Sequence, residues 1–210
     1  KVQTVLGRMA PEKLGVTLPH EHLVCDITSW FVEPEEATAR AMAHRAVSPD
    51  ILWWLRYHLF QNVDDMRLHD EQVAIEEALR FRSAGGDSIV EVSSIGLGRD
   101  PMALARISRA TGLNVVMGSG YYVGLALGPE VDAMSEEQMC EEIVRDIVEG
   151  VGQTGVRAGT VKQAEPSDAT GVSPKTTFTS QLPLPMAMGV LIMAPPPGPL
   201  LLLLPTPAAR

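Results

Sequence analysis

The sequence predicts an α/β fold of the (β/α)8 TIM-barrel type, truncated to about its first four βα units, with an irregular Pro/Leu-rich C-terminal tail. Three observations predict it. Strand-like and helical patterns alternate from Thr17 to Val161, which calls for βα units and a largely parallel sheet. The alternation then stops, and the 48 residues after Lys162 are too few for four more units at roughly 30 residues each, where a whole barrel takes about 250. The composition breaks at the same place. Residues 1–160 hold 14 basic and 24 acidic residues, whereas residues 161–210 hold three and two, with ten of the 16 prolines. Two segments are therefore expected: 1–162, the N-terminal half of a barrel, and 163–210, a low-complexity, poorly ordered tail.

Each element has a local reason. Thr17 to Val24 has the make-up of a strand running into a loop. Residues 31–68, with Trp53, Trp54 and Tyr57, form a long insertion between that strand and its helix. The helical pattern of Asp70 to Phe81 places Ala74, Ile75, Ala78 and Leu79 on one face. A turn through Gly85-Gly86 leads into the strand Ser88–Val92. Asp100 before Pro101 is an N-cap with proline at the first helical position, and Gly112 can end that helix. Asn114–Met117 is the next buried strand. Ser135 with Gln138 fits a capping box, followed by Met139, Ile143, Val144, Ile147 and Val148 at helical spacing. Val156–Val161 is a fourth strand candidate.

The net charge of −9 argues against nucleic acid or an anionic membrane surface as partner, since both require a basic patch. Only Cys25 and Cys140 are present, which excludes a disulfide scaffold and a cysteine-based zinc finger. In the tail, Met186–Ala194 and Leu200–Leu204 are apolar, but Pro195 to Pro199 separate them. A spanning helix needs about 20 continuous apolar residues, and prolines break it, so no membrane span is expected. Few cysteines, acidity and no signal pattern suggest a cytoplasmic protein. An unclosed barrel would leave two sheet edges open, so low stability or self-association is expected.

The sharpest chemical feature is Pro19-His20-Glu21-His22-Leu23. Alternating side chains put His20 and His22 on one face of a strand and Glu21 on the other. Two neutral imidazoles can ligate one metal ion; two hydrogen-bonded histidines at a strand end are the plainer alternative. They end the first strand, where barrel enzymes build their sites.

In this setting the sequence resembles the phosphotriesterase family of the metal-dependent amidohydrolase superfamily, nearest its phosphotriesterase-related and lactonase-like branches. The resemblance spans residues 2–159. It is carried by Val2-Gln3-Thr4-Val5-Leu6-Gly7, Leu14-Gly15-Val16-Thr17-Leu18, the His20-Glu21-His22 motif, Gly96-Leu97-Gly98-Arg99-Asp100-Pro101, Thr111 to Tyr122, and Gly155 to Gly159. It implies a barrel with two divalent metals, usually zinc, and hydrolysis of a small-molecule substrate at a phosphotriester, lactone or acyl-amide bond through a metal-activated water. It assigns His20 and His22 to the more buried metal and gives Lys162 the position of a carboxylated, metal-bridging lysine. Other branches place a glutamate one position later, where this chain has Gln163. Tyr121 or Tyr122 matches a tyrosine that lines the substrate pocket.

The chain also departs from that pattern. The family takes two further histidines from the fifth and sixth strands and a catalytic aspartate from the eighth. Here the histidines are 20, 22, 44, 58 and 69, and the last aspartate is Asp168. His44, His58 and His69 read as surface residues and Cys25 as a small buried thiol. Arg99-Asp100 reads as a loop ion pair or a helix cap, and the Glu141-Glu142 pair as a solvated helix face. Two functions are therefore carried forward: a metal-dependent hydrolase, and a truncated, catalytically inactive relative that is at most an interaction protein.

Overall fold

The computed structural model describes residues 1–162; the expectation of a poorly ordered tail lies outside the described residues. The strands are β1 (Val2–Thr4), β2 (Gly7–Met9), β3 (Thr17–Glu21), β4 (Cys25–Asp26), β5 (Arg67–Leu68), β6 (Ser88–Glu91), β7 (Asn114–Ser119) and β8 (Thr160–Val161). The α-helices are α1 (Ala37–Ala43), α2 (Leu52–Leu55), α3 (Glu71–Ser83), α4 (Pro101–Thr111), α5 (Pro129–Asp132) and α6 (Glu136–Val148).

The central sheet has four parallel strands in the order β3-β6-β7-β8. Each strand in sequence adds beside the last, as in the first half of a (β/α)8 barrel. The helices α3, α4 and α6 provide the crossovers. The fourth strand is shorter than its sequence pattern, Thr160–Val161 rather than Val156–Val161. Val156 and Ala158 instead pack into the core beside Leu104, Val115 and Met117.

The caps follow the sequence. Asp70 accepts from the Gln72 and Val73 amides at the start of α3. Asp100 does the same for Met102 and Ala103, and Gly112 closes α4 at φ +70°. Ser135 and Gln138 form the full capping box of α6. Asp100 is thus a cap, while Arg99 pairs elsewhere. It reaches Asp146 on α6 at 2.8 Å and the Gly118 carbonyl at 3.1 Å, and Ser119 Oγ donates to the same carboxylate at 2.7 Å. This buried network fastens the β6–α4 loop, β7 and α6 together.

Alternation along the strands sorts the core into two layers. Ile89 packs with Ala74, Ala78 and Ile107 from α3 and α4, so that face looks at the helices. Val90, Val92 and Val116 point the other way and meet Val2 of the β1–β2 hairpin. The hairpin therefore lies against the concave side, where Val2 is fully buried. Among the described residues no helix is long and apolar enough to cross a membrane.

Candidate metal centre

The site collects at the C-terminal ends of the parallel strands. Register shifts between Leu18 and Glu21 in the β3–β6 pairing. Such a bulge adds a residue on one strand and changes the phase of its side chains. Leu18 packs into the helix-side cluster, whereas His20, two residues on, reaches Lys162 just past β8, with 3.2 Å between His20 Nε2 and Lys162 Nζ. These residues come from the two edges of the sheet. In a flat sheet, edge strands three spacings apart would lie about 14 Å from each other. The contact therefore records the curl of the sheet, with both side chains on its concave face.

The rings of His20 and His22 stand 5.7 Å apart, edge to face. His22 Nδ1 lies 2.9 Å from Ser93 Oγ. Burial, with Lys162 and His20 nearby, lowers the His22 pKa to about 4, so the ring is neutral at pH 7, as a metal ligand requires. Burial also lowers the pKa of Lys162, against the pull of Cys25 and Glu91.

Of the tyrosine pair, only Tyr122 sits in this cluster. Lys162 Nζ lies 5.5 Å from its ring centre, and Trp30 packs edge-on against it at 5.6 Å. Tyr121 is buried, and its hydroxyl donates to Glu142 on α6 at 2.5 Å. Burial and that carboxylate raise its pKa. Glu142 is accordingly a partner of the core rather than part of a solvated face.

Sequence reasoning missed two residues. Glu91 and Ser93 are fully buried, and Ser93 contacts Glu91 Oε1 at 2.6 Å and Oε2, through its amide, at 3.2 Å. The signal was a single carboxylate closing an otherwise apolar strand. Burial raises the Glu91 pKa to about 7, although hydrogen bonds from Ser93 and Leu23 and the charge of Lys162 oppose the rise. An acid whose folded pKa is raised contributes stability below its unfolded pKa, and that contribution is lost as pH climbs through the folded value. In metal-free protein, Glu91→Gln should remove a loss that runs from about pH 4.5 to 7. It should make the protein more stable than wild type at pH 8 by up to about 3 kcal/mol. Urea unfolding at pH 5 and pH 8 tests this: parallel pH dependence in both proteins would refute it. His22 works in the opposite sense, its stabilisation fading as pH falls from 6.5 towards 4.

Two of the other histidines lie elsewhere. His44 faces Glu33 at 3.2 Å, and His58 stacks on Trp54 at 4.2 Å. His69 lines a cleft of about 650 Å³ that His22, Asp64 and Asp70 also line. Cys25 is a buried thiol, its pKa raised first by burial and then by Glu91. Among the described residues, no group of three or more His, Cys, Asp or Glu side chains is placed to hold a metal ion. What the structure does bring together is two imidazoles and a lysine. The Lys162 ammonium, as a pure donor, pairs with the lone pair of His20 Nε2. The donor set present thus fits part of a zinc-type site, which takes four ligands.

The family model of the phosphotriesterase family matches residues 1–177. The chain belongs to the phosphotriesterase family. It is 30% identical over 181 residues to an N-acetyltaurine hydrolase of Dictyostelium discoideum, an alignment covering 77% of this chain and 49% of that one. It is 34% identical over 162 residues to a phosphotriesterase-related protein of Nematostella vectensis, covering 76% and 46%. Among solved structures, a resiniferatoxin-binding protein from Rhodobacter sphaeroides superposes with a TM-score of 0.79 at 35% identity, covering 84% of this chain and 49% of that one. The chain thus spans about half the length of the relatives it resembles. As the names of these phosphotriesterase relatives indicate, the family contains hydrolases of small molecules.

Proposed function

We propose that this chain carries the first-to-fourth-strand portion of a metal-dependent hydrolase site that cleaves an ester-type or acyl-amide bond of a small molecule. The meeting of His20 with Lys162, 142 positions apart and 3.2 Å from contact atom to contact atom, carries this reading. It unites the two strand ends to which the family resemblance assigns the ligands found in this chain. His20 and His22 would hold a divalent ion, zinc by the preference of imidazole donors. Lys162 would serve as a bridging ligand once carboxylated. The chemistry a metal pair held there would supply is a lowered pKa for a water and polarisation of the oxygen of the scissile bond.

The remaining residues act without the metal. Trp30 and Tyr122 form an aromatic wall beside Lys162, which gives an acyl group an apolar surface. The Tyr122 hydroxyl is the donor available to orient a substrate carbonyl. The N-acetyltaurine hydrolases among the relatives support the acyl-amide option.

One observation favours the second reading, a non-catalytic relative that acts at most by interaction: the described residues hold only a partial ligand set. Metal analysis of the zinc-loaded 210-residue protein, together with assays on an N-acetyl amine, a lactone and an aryl phosphotriester, separates the two. The hydrolase reading expects retained zinc approaching about two per chain, as in two-metal sites, and turnover of at least one substrate. Protein that retains no zinc and consumes none of the three would overturn it.

A further inference from the structure

We propose that Ser93 is a positioning residue that fixes the tautomer of His22, holding the ring proton on Nδ1 so that Nε2 keeps its lone pair for a cation. Its importance for catalysis rests on the metal-site reading above, but the tautomer itself does not.

The argument is a count of protons. Ser93 Oγ has four polar neighbours: Glu91 Oε1 at 2.6 Å, His22 Nδ1 at 2.9 Å, the Val24 carbonyl at 3.0 Å and the Cys25 thiol, which can donate its own proton. A serine hydroxyl carries one proton and two lone pairs. The Val24 carbonyl can only accept. Glu91 either accepts, when ionised, or donates to Ser93, when protonated. If it is ionised, two pure acceptors compete for the single serine proton. If it is protonated, the serine proton goes to the Val24 carbonyl, because His22 can instead donate from Nδ1 whereas a carbonyl can only accept. In both cases the arrangement that satisfies every acceptor leaves none for His22, which makes Nδ1 of His22 the donor. A neutral imidazole has only one N–H, and Nε2 is therefore bare.

The surroundings make this choice rigid. Ser93 and Glu91 are both fully excluded from solvent, so water cannot replace the serine oxygen. The Ser93 amide is tied to the same carboxylate at 3.2 Å, which holds the residue in place at the end of β6. His22 therefore meets an acceptor supplied by the neighbouring strand. Histidine ligands to metals commonly have their second nitrogen fixed in this way, and loss of the partner typically costs 10–100-fold in metal affinity.

Nitrogen-15 NMR of the metal-free, histidine-labelled full chain at pH 8 reads the tautomer directly. The His22 resonance, assigned by its loss in His22→Gln, should show Nδ1 protonated and Nε2 bare. Ser93→Ala should shift the ring towards the Nε2–H form and weaken binding of added zinc about tenfold or more. Ser93→Thr, which keeps the hydroxyl, should restore both. A wild-type ring protonated on Nε2 overturns the inference even if Ser93→Ala fails to fold, as does an unchanged tautomer in that variant. A wild-type Nδ1–H ring that Ser93→Ala shifts, in protein that binds no zinc, supports the inference and overturns the metal reading.

Discussion

Alanine in place of Asp146 should destabilise the protein by about 3–5 kcal/mol, the usual cost of stripping one partner from a buried ion pair. Asp146 and Arg99 side chains are 2% and 6% exposed, so neither charge has water to fall back on. The carboxylate also accepts from Ser119 Oγ at 2.7 Å. Its removal leaves a buried guanidinium whose main remaining partner is the Gly118 carbonyl. Domains of this size have only about 5–15 kcal/mol in total, so the loss is a large share. Asp146→Asn keeps an acceptor for Ser119 and Arg99 while removing the charge, and should fall between the two. Urea unfolding of the three proteins at constant pH measures it. A difference under about 1 kcal/mol for the alanine variant, the range of exposed pairs, would show that the network is not buried as described.

The second large effect is expected from Gly120→Ala. Gly120 follows β7 with φ +112°, a conformation side chains avoid, and an added Cβ would run into the Lys162 carbonyl. The strands are joined here by the bond from the Lys162 amide to the Ser119 carbonyl at 2.8 Å. A methyl group must therefore push β8 away at the residue that presents the lysine. Strain of this kind costs on the order of 1–3 kcal/mol, and the displaced Lys162 should lower zinc affinity in parallel. Thermal unfolding and a zinc titration on the same preparation test both parts. Normal stability with normal zinc binding would mean that the β7–β8 junction tolerates the methyl group.

How much of this could be read from the sequence differs by element. Local signals were clear because their chemistry is local. Asp100-Pro101, Gly112 and the Ser135–Gln138 box mark helix ends within a few residues, and the structure has all three. The closeness of the His20 and His22 rings, 5.7 Å apart, is what a spacing of two residues suggests. The bulge between Leu18 and Glu21 was not legible, because register belongs to a strand pair rather than to one strand. The Arg99 partner was hidden for a similar reason: Asp100 is adjacent but serves as a cap, while Asp146 becomes a neighbour only when α6 packs on β7. Ser93 was invisible as a site residue because serine in a βα loop is commonplace, and only its close partners distinguish it.

The contact between His20 and Lys162 has a thermodynamic side. It joins the first strand of the curled sheet to the fourth, so any ion gripped by both residues binds only the curved, native arrangement. Neither a flattened sheet nor an unfolded chain offers that pair of donors together. By linkage, each tenfold rise in such an ion above its dissociation constant would stabilise the fold by about 1.4 kcal/mol. An ion held there would thus also be a clasp on the sheet, and chelation would act as a mild denaturant.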